Sequence, residues 1–149
     1  MSFDLEAFMA LGQRNLPGHL GIVITEMAPG RVCAELPVRE CLLAPNGYLH
    51  AGTLVSLADT ASGYGCQISL PEGAAGFTTL ELKSNHLSTV REGRLLCVAT
   101  VVHRGRTTQV WDAVVTSEST GKTLSLFRCT QMILYPAAAA ASPPPPASP

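Results

Sequence analysis

Residues 53–66 run Thr-Leu-Val-Ser-Leu-Ala-Asp-Thr-Ala-Ser-Gly-Tyr-Gly-Cys. As a helix, this segment is apolar or small on nearly every side, and Asp59 is its only charge. A helix without a polar face is buried all round, so the rest of the chain must wall it in. Burying an unpaired carboxylate is expensive, so Asp59 must be paired, neutralised or put to use. Directly upstream stands Asn46-Gly47-Tyr48-Leu49-His50-Ala51-Gly52, a polar, glycine-containing turn. A turn, a histidine, a small-residue helix start and a lone acid together form a candidate active-site segment.

The other segments have the period of strands. Residues 20–27 read as one strand, and 31–38 returns after the Pro29-Gly30 turn with alternating polar and apolar residues. Past Pro71-Glu72-Gly73, four more strands are expected over 77–87, 93–103, 108–118 and 122–134. Their connections are short and contain glycine, as hairpins require, and strands joined by hairpins pair antiparallel. Phe3, Ala7 and Leu11 share one face of a short amphipathic helix ending near Gln13. The expectation is an α+β domain over residues 1–135, a curved antiparallel sheet wrapped around one central helix. Residues 136–149 are almost entirely Ala, Ser and Pro and read as a disordered tail.

Composition narrows the partners. Of 149 residues, 46% are apolar and only 14% charged, and mean hydropathy is +0.23. That is high for a soluble monomer, yet segment 53–70 is too polar to span a membrane. Surface buried between subunits is the better explanation. A net charge of −1 gives no footprint for nucleic acid. The start is acidic where a signal peptide would be basic. Five cysteines, with no Cys-x-x-Cys, fit reduced thiols in a cytoplasm rather than a disulfide frame or a metal site.

The segment Asn46 to Ala61, with His50 nine residues before Asp59, resembles the hot-dog fold. More narrowly, it resembles acyl-CoA thioesterases of the phenylacetate-degradation and 4-hydroxybenzoyl-CoA thioesterase type. Thr79-Leu80-Glu81-Leu82 with Asn85, and Arg104-Gly105-Arg106-Thr107, extend the resemblance over about residues 18–135. Two departures stand out. The family's His-Gly-Gly is His50-Ala51-Gly52 here, and alanine keeps the backbone N–H. The family's amide residue lies six positions before the histidine, where this chain has Ala44; the nearest amide is Asn46.

The resemblance implies hydrolysis of an aryl- or medium-chain acyl-CoA, with coenzyme A as part of the substrate and neither cofactor nor metal. Asp59 is expected as general base or nucleophile, with Asn46 and His50 lining the site. A helix starting near Ala51 and Gly52 offers unpaired N–H groups and a positive dipole end to a thioester oxygen. Thr60, Thr79, Asn85 and Arg104 to Thr107 are the expected substrate contacts, with Arg104 and Arg106 gripping the phosphates of coenzyme A. The glycines Gly63 and Gly65 hint at room for the acyl group. Nine residues of helix span about 13 Å, too far for Asp59 to act on a carbonyl held at its own helix start. The resemblance resolves this with a homodimer, paired into a homotetramer, in which one subunit's helix start faces the other's acid. Ala58, Ala61, Ser62 and Gly63 are small enough to let two chains approach. A non-catalytic acyl-CoA sensor on the same fold is the alternative, and a hot-dog hydratase is disfavoured because the next histidine after Asp59 is His86.

Overall fold

The helix finds its walls in a single sheet. The computed structural model describes residues 4–137. Its elements are α1 (Leu5–Gly12), α2 (Leu16–Leu20), β1 (Val23–Ala28), β2 (Arg31–Pro37), α3 (Ala51–Ile68), β3 (Gly76–His86), β4 (Arg94–Arg104), β5 (Thr108–Ser117) and β6 (Thr123–Leu134). The six strands form one sheet in the order β1-β2-β4-β5-β6-β3, antiparallel throughout. The sheet curls so far that α3 touches every strand. This is the hot-dog arrangement that the resemblance implied. No helix among the described residues is long and apolar enough to cross a membrane. The expected tail falls outside the described residues apart from Pro136 and Ala137, as does Phe3.

Alternation along the strands builds the core. Val32, Ala34 and Leu36 of β2, Leu95, Cys97 and Ala99 of β4, and Trp111, Ala113 and Val115 of β5 all point inward and are buried. They close on Leu54, Leu57, Ala58, Ala61 and Cys66 of α3. The sheet comes close to the helix at Trp111, the largest fully buried side chain among the described residues. A methyl group on Gly65 would lie 2.5 Å from its ring. The indole N–H, which must not be left unpaired in a core, donates to Gln109 Oε1 at 2.9 Å.

The structure corrects several expectations. Pro17-Gly18 does not simply break the chain. It lies within α2, whose first turn tolerates proline because the N–H there has no helical partner. Gly21 then ends α2 at φ +85°, and β1 starts at Val23 rather than Leu20. Ala58, Ala61 and Ser62 are wholly buried within one chain, so their small size serves the sheet-to-helix approach, not contact between chains. Gly63 and Gly65 do not leave acyl room either. Phe77 stands over Gly63 and Trp111 fills the space beside Gly65.

These two glycines should respond differently to alanine. Gly65→Ala drives a methyl into a buried indole, and thermal unfolding should show a loss of about 1–3 kcal/mol, typical of overpacking. Gly63→Ala meets only the tip of the half-buried Phe77 ring at 3.3 Å. It also gains helix propensity of up to about 1 kcal/mol, so its melting temperature should stay close to wild type.

Candidate active site

The turn before α3 is tied down residue by residue. Gly47, at φ +82°, donates its N–H to Ala44 O, and Ala44 donates to Tyr48 O. The Asn46 side chain accepts the Tyr48 N–H at 3.1 Å, so its carbonyl oxygen holds the turn. His50 donates its N–H to Leu42 O and sits at the helix N-cap in extended backbone, φ −67° and ψ 135°. Its Nδ1 accepts the Gly52 N–H at 2.8 Å, and its carbonyl accepts the Thr53 N–H at 3.0 Å.

That cap corrects the expected donor pair. The Gly52 N–H is already taken by His50. Glycine at 52 leaves room for that ring, because a Cβ there would lie 2.9 Å from His50 Nδ1. The Ala51 N–H, one of the orphan donors of a helix start, has no hydrogen-bond partner among the described residues. Ala51 and Gly52 are both exposed, so the free N–H opens to solvent.

Asp59 lies two turns further along α3. Its Oδ1 is enclosed and has no hydrogen-bond partner among the described residues. Burial raises the carboxyl above its ordinary value. Across from it on β6 is Cys129, whose thiol is pushed up to about 11, first by burial and then by the Asp59 charge. Cys129 Sγ accepts from Gln131 Nε2 at 3.3 Å, and Gln131 Oε1 accepts the Thr79 hydroxyl at 2.8 Å. Thr79 is exposed on the edge strand β3, so one linked set of groups runs from beside the buried acid to the surface. Burial pushes the Cys66 thiol up to about 12, which leaves it neutral and unsuited to nucleophilic attack.

The other expected contacts scatter. Thr60 turns away toward the N-terminal helices and lines a narrow crevice with Met9, Gln13 and Tyr64. Thr79 and Asn85 are an even number of residues apart, which in a regular strand would place them on one face. A bulge between Thr79 and Glu81 reverses the phase. Thr79 therefore pairs with buried Gln131, whereas Asn85 pairs with exposed Leu126 on the outer face, away from Asp59. Arg104, Gly105 and Arg106 line an open cleft of about 460 Å³ against Ile68 to Pro71 at the far end of α3. Gly105 donates its N–H to Thr108 O and the Thr107 carbonyl accepts from Ile133, so both serve the hairpin through their backbones.

Gln131 and Cys129 were not anticipated from the sequence. The signal for Gln131 was present: it falls in the inward phase of β6 with Phe127, Cys129 and Ile133. A polar residue at such a position needs a partner inside.

Comparison with known proteins agrees with this geometry. Residues 46–124 match the family described as the thioesterase superfamily. The chain is 37% identical over 111 residues to a 1,4-dihydroxy-2-naphthoyl-CoA hydrolase of Listeria monocytogenes, covering 74% of this chain and 89% of the relative. The hydrolase of the same name from Escherichia coli is 34% identical over 133 residues, covering 87% of this chain and 94% of the relative. A thioesterase structure from Haemophilus influenzae superimposes with a TM-score of 0.83 at 30% identity, over 95% of this chain and 97% of that one. The Escherichia coli PaaI protein, from the phenylacetic acid degradation operon, gives 0.77 at 27% identity, over 87% and 91%. With its curled sheet, its capped helix start and its half-buried acid, the chain belongs to the thioesterase superfamily and is a thioester hydrolase.

Proposed function

We propose that the protein hydrolyses an aryl- or medium-chain acyl-CoA to the free acid and coenzyme A, at sites shared between two subunits. One observation carries this reading: a half-buried carboxylate with one enclosed, unpartnered oxygen and a free helix-start N–H lie on one helix, too far apart to meet. From Ala51 to Asp59 the helix rises about 12 Å. A thioester carbonyl polarised by one chain's Ala51 N–H is therefore attacked with the help of the other chain's Asp59. The aryl preference is supported by the relatives named for naphthoyl-CoA hydrolysis.

Edge strand β3 is the meeting point. It is exposed over most of its length, with Leu80 at 56% and Leu82 at 40%. A long edge strand with one unpaired side of backbone groups and two exposed leucines invites a second copy. A dimer joined there brings a second chain beside the β6–β3 side of α3, where Asp59 sits. Val98, Val114 and Leu126 are register partners across the outer face, all exposed, and give dimers a surface on which to pair into a tetramer. Arg104 and Arg106 hold the phosphates of coenzyme A. The protein acts in the cytoplasm, with no nucleic-acid or membrane partner.

In the proposed reaction Asp59 is the general base. Burial raises its carboxyl, which makes the carboxylate a stronger base than an exposed one. Water adds to the acyl carbon and passes a proton to Asp59. The carbonyl oxygen gathers charge against the Ala51 N–H and the positive end of α3. The carbon–sulfur bond then breaks, and the departing thiolate takes the proton. Single turnover in ¹⁸O-water should place the label in the free acid; label in the Asp59 side chain would instead mark a covalent anhydride.

Ala51→Pro tests the donor and the sharing together. Proline is at home at the first helical position, and the extended His50 backbone suits a following proline. The variant therefore loses the N–H with little change in fold, and kcat should fall about 10²- to 10³-fold, as for other oxyanion donors. Asp59→Ala should be inactive on every acyl-CoA of a panel of aryl, short and long thioesters. Mixed and reassembled, the two inactive variants should regain activity, because a hybrid dimer holds one intact site. Sites confined to single chains would give no recovery.

Asp59 should also trade stability for activity. Its folded carboxyl is raised, so folding favours the protonated form. This stabilisation is complete at pH below the ordinary carboxylate value and is lost as pH rises through the raised one. Asp59→Asn should therefore melt higher than wild type at pH 7, with the gap closing in acid. An unchanged melting temperature across that range would show that the acid carries no burial penalty.

A further inference from the structure

Three register partners form a polar row across the inner face of the sheet: Gln109 on β5, Gln131 on β6 and Thr79 on β3. Both glutamines are fully buried. Gln109 is used structurally, with Nε2 donating to Ser69 O at 2.9 Å and Oε1 accepting from Trp111. Gln131 is different, because its partner lies toward the edge. Its Nε2 donates to Cys129 Sγ, beside Asp59, and its Oε1 accepts from the exposed Thr79 hydroxyl. The bulge after Thr79 fixes where that side chain points, and bulges beside active sites re-aim side chains in this way.

We infer that Gln131 is a positioning residue for hydrolysis, one that turns Thr79 into a hydrogen-bond acceptor for the attacking water. A threonine hydroxyl has one proton and two lone pairs. With that proton committed to Gln131 Oε1, Thr79 Oγ1 has only lone pairs left to offer. Phe77, two residues before Thr79 on the same face of β3, lies against Gly63, one helical turn beyond Asp59, which sets Thr79 on the side of α3 that carries the acid. The water gives one proton to Asp59 and is held through its other proton by Thr79 Oγ1. Its own lone pair is then free for the acyl carbon. Without Gln131, the Thr79 hydroxyl can turn its proton toward the carboxylate and compete with water for the base. This inference rests on Asp59 acting as the base of the proposed reaction.

A double-mutant cycle tests it, with benzoyl-CoA as substrate and thiol release as readout. Thr79→Val and Gln131→Met are close in shape to the residues they replace and remove the hydrogen bond from either side. Each should lower kcat about tenfold, the scale of one hydrogen bond, with KM nearly unchanged. The double variant should be no slower than Thr79→Val alone, and Thr79→Ser should keep wild-type kcat. A purely structural glutamine would give losses that multiply, or a kcat that does not change, and either result overturns the inference. If Gln131→Met does not fold, Gln131→Asn, which withdraws the amide by one carbon, completes the same cycle. Asp59→Asn separates the two levels of failure. If it keeps turnover, the proposed reaction itself is wrong. If it is inactive while the losses multiply, only the role of Gln131 falls.

Discussion

The fold is built on one helix that a single sheet covers on most of its sides, leaving a half-buried stripe of Val55, Ser56, Asp59, Thr60, Gly63 and Tyr64 where the expectation was burial all round. Most of α3 is apolar or small and must be covered, so six strands curl until each touches it. Curling that tightly requires small residues where helix and sheet meet. Gly65 lets the Trp111 ring reach the helix, and Ala58 and Ala61 admit the neighbouring strands. The sheet cannot close on itself, however, and β3 remains as an exposed edge next to the acidic side of the helix. The enclosure that builds the core thus also leaves one edge of the sheet open, the edge at which the proposed dimer would join.

The polar groups inside this enclosure fall into two kinds. Gln109 and Gln131 are paired and contribute to a defined core. Asp59 Oδ1 is not paired. A buried group without a partner destabilises the folded state, and such penalties persist where activity needs them. Cys129, immediately opposite, cannot relieve the penalty as a cation would, because its thiol is neutral and its own ionisation is opposed by Asp59. The carboxylate keeps its free oxygen because nothing nearby in the same chain completes it.

Much of this was legible in the sequence, and the misses have physical causes. Strand and helix extents could be read because periods of two and 3.6 are imposed by burial, as the inward residues of β2, β4 and β5 show. The helix α2 was hidden because Pro17-Gly18 is a turn signal, and proline is equally at home in a first helical turn. Ala58, Ala61 and Ser62 were misread because small residues allow any close approach, and sequence does not say whether the neighbour is a sheet or a second chain. Asn85 was misplaced because the bulge after Thr79 adds one residue and exchanges the two faces beyond it. A one-residue irregularity leaves no mark on hydrophobic period in a strand exposed on both faces.

The turn before α3 separates two jobs that a pair of glycines would conceal. His50-Ala51-Gly52 departs from His-Gly-Gly at its middle position only. Position 51 needs a free N–H in helical backbone, and no residue other than glycine has a positive φ among the described residues. Any residue with an N–H meets that need, so alanine suffices. Position 52 needs the absence of a Cβ, because the His50 ring lies against it and takes its N–H. Were Gly52 replaced, the ring would have to shift from where it now accepts the N–H. In the proposed reaction the histidine therefore acts through the backbone: by occupying the second N–H it holds the first turn of α3 in shape and leaves the Ala51 N–H open to a carbonyl.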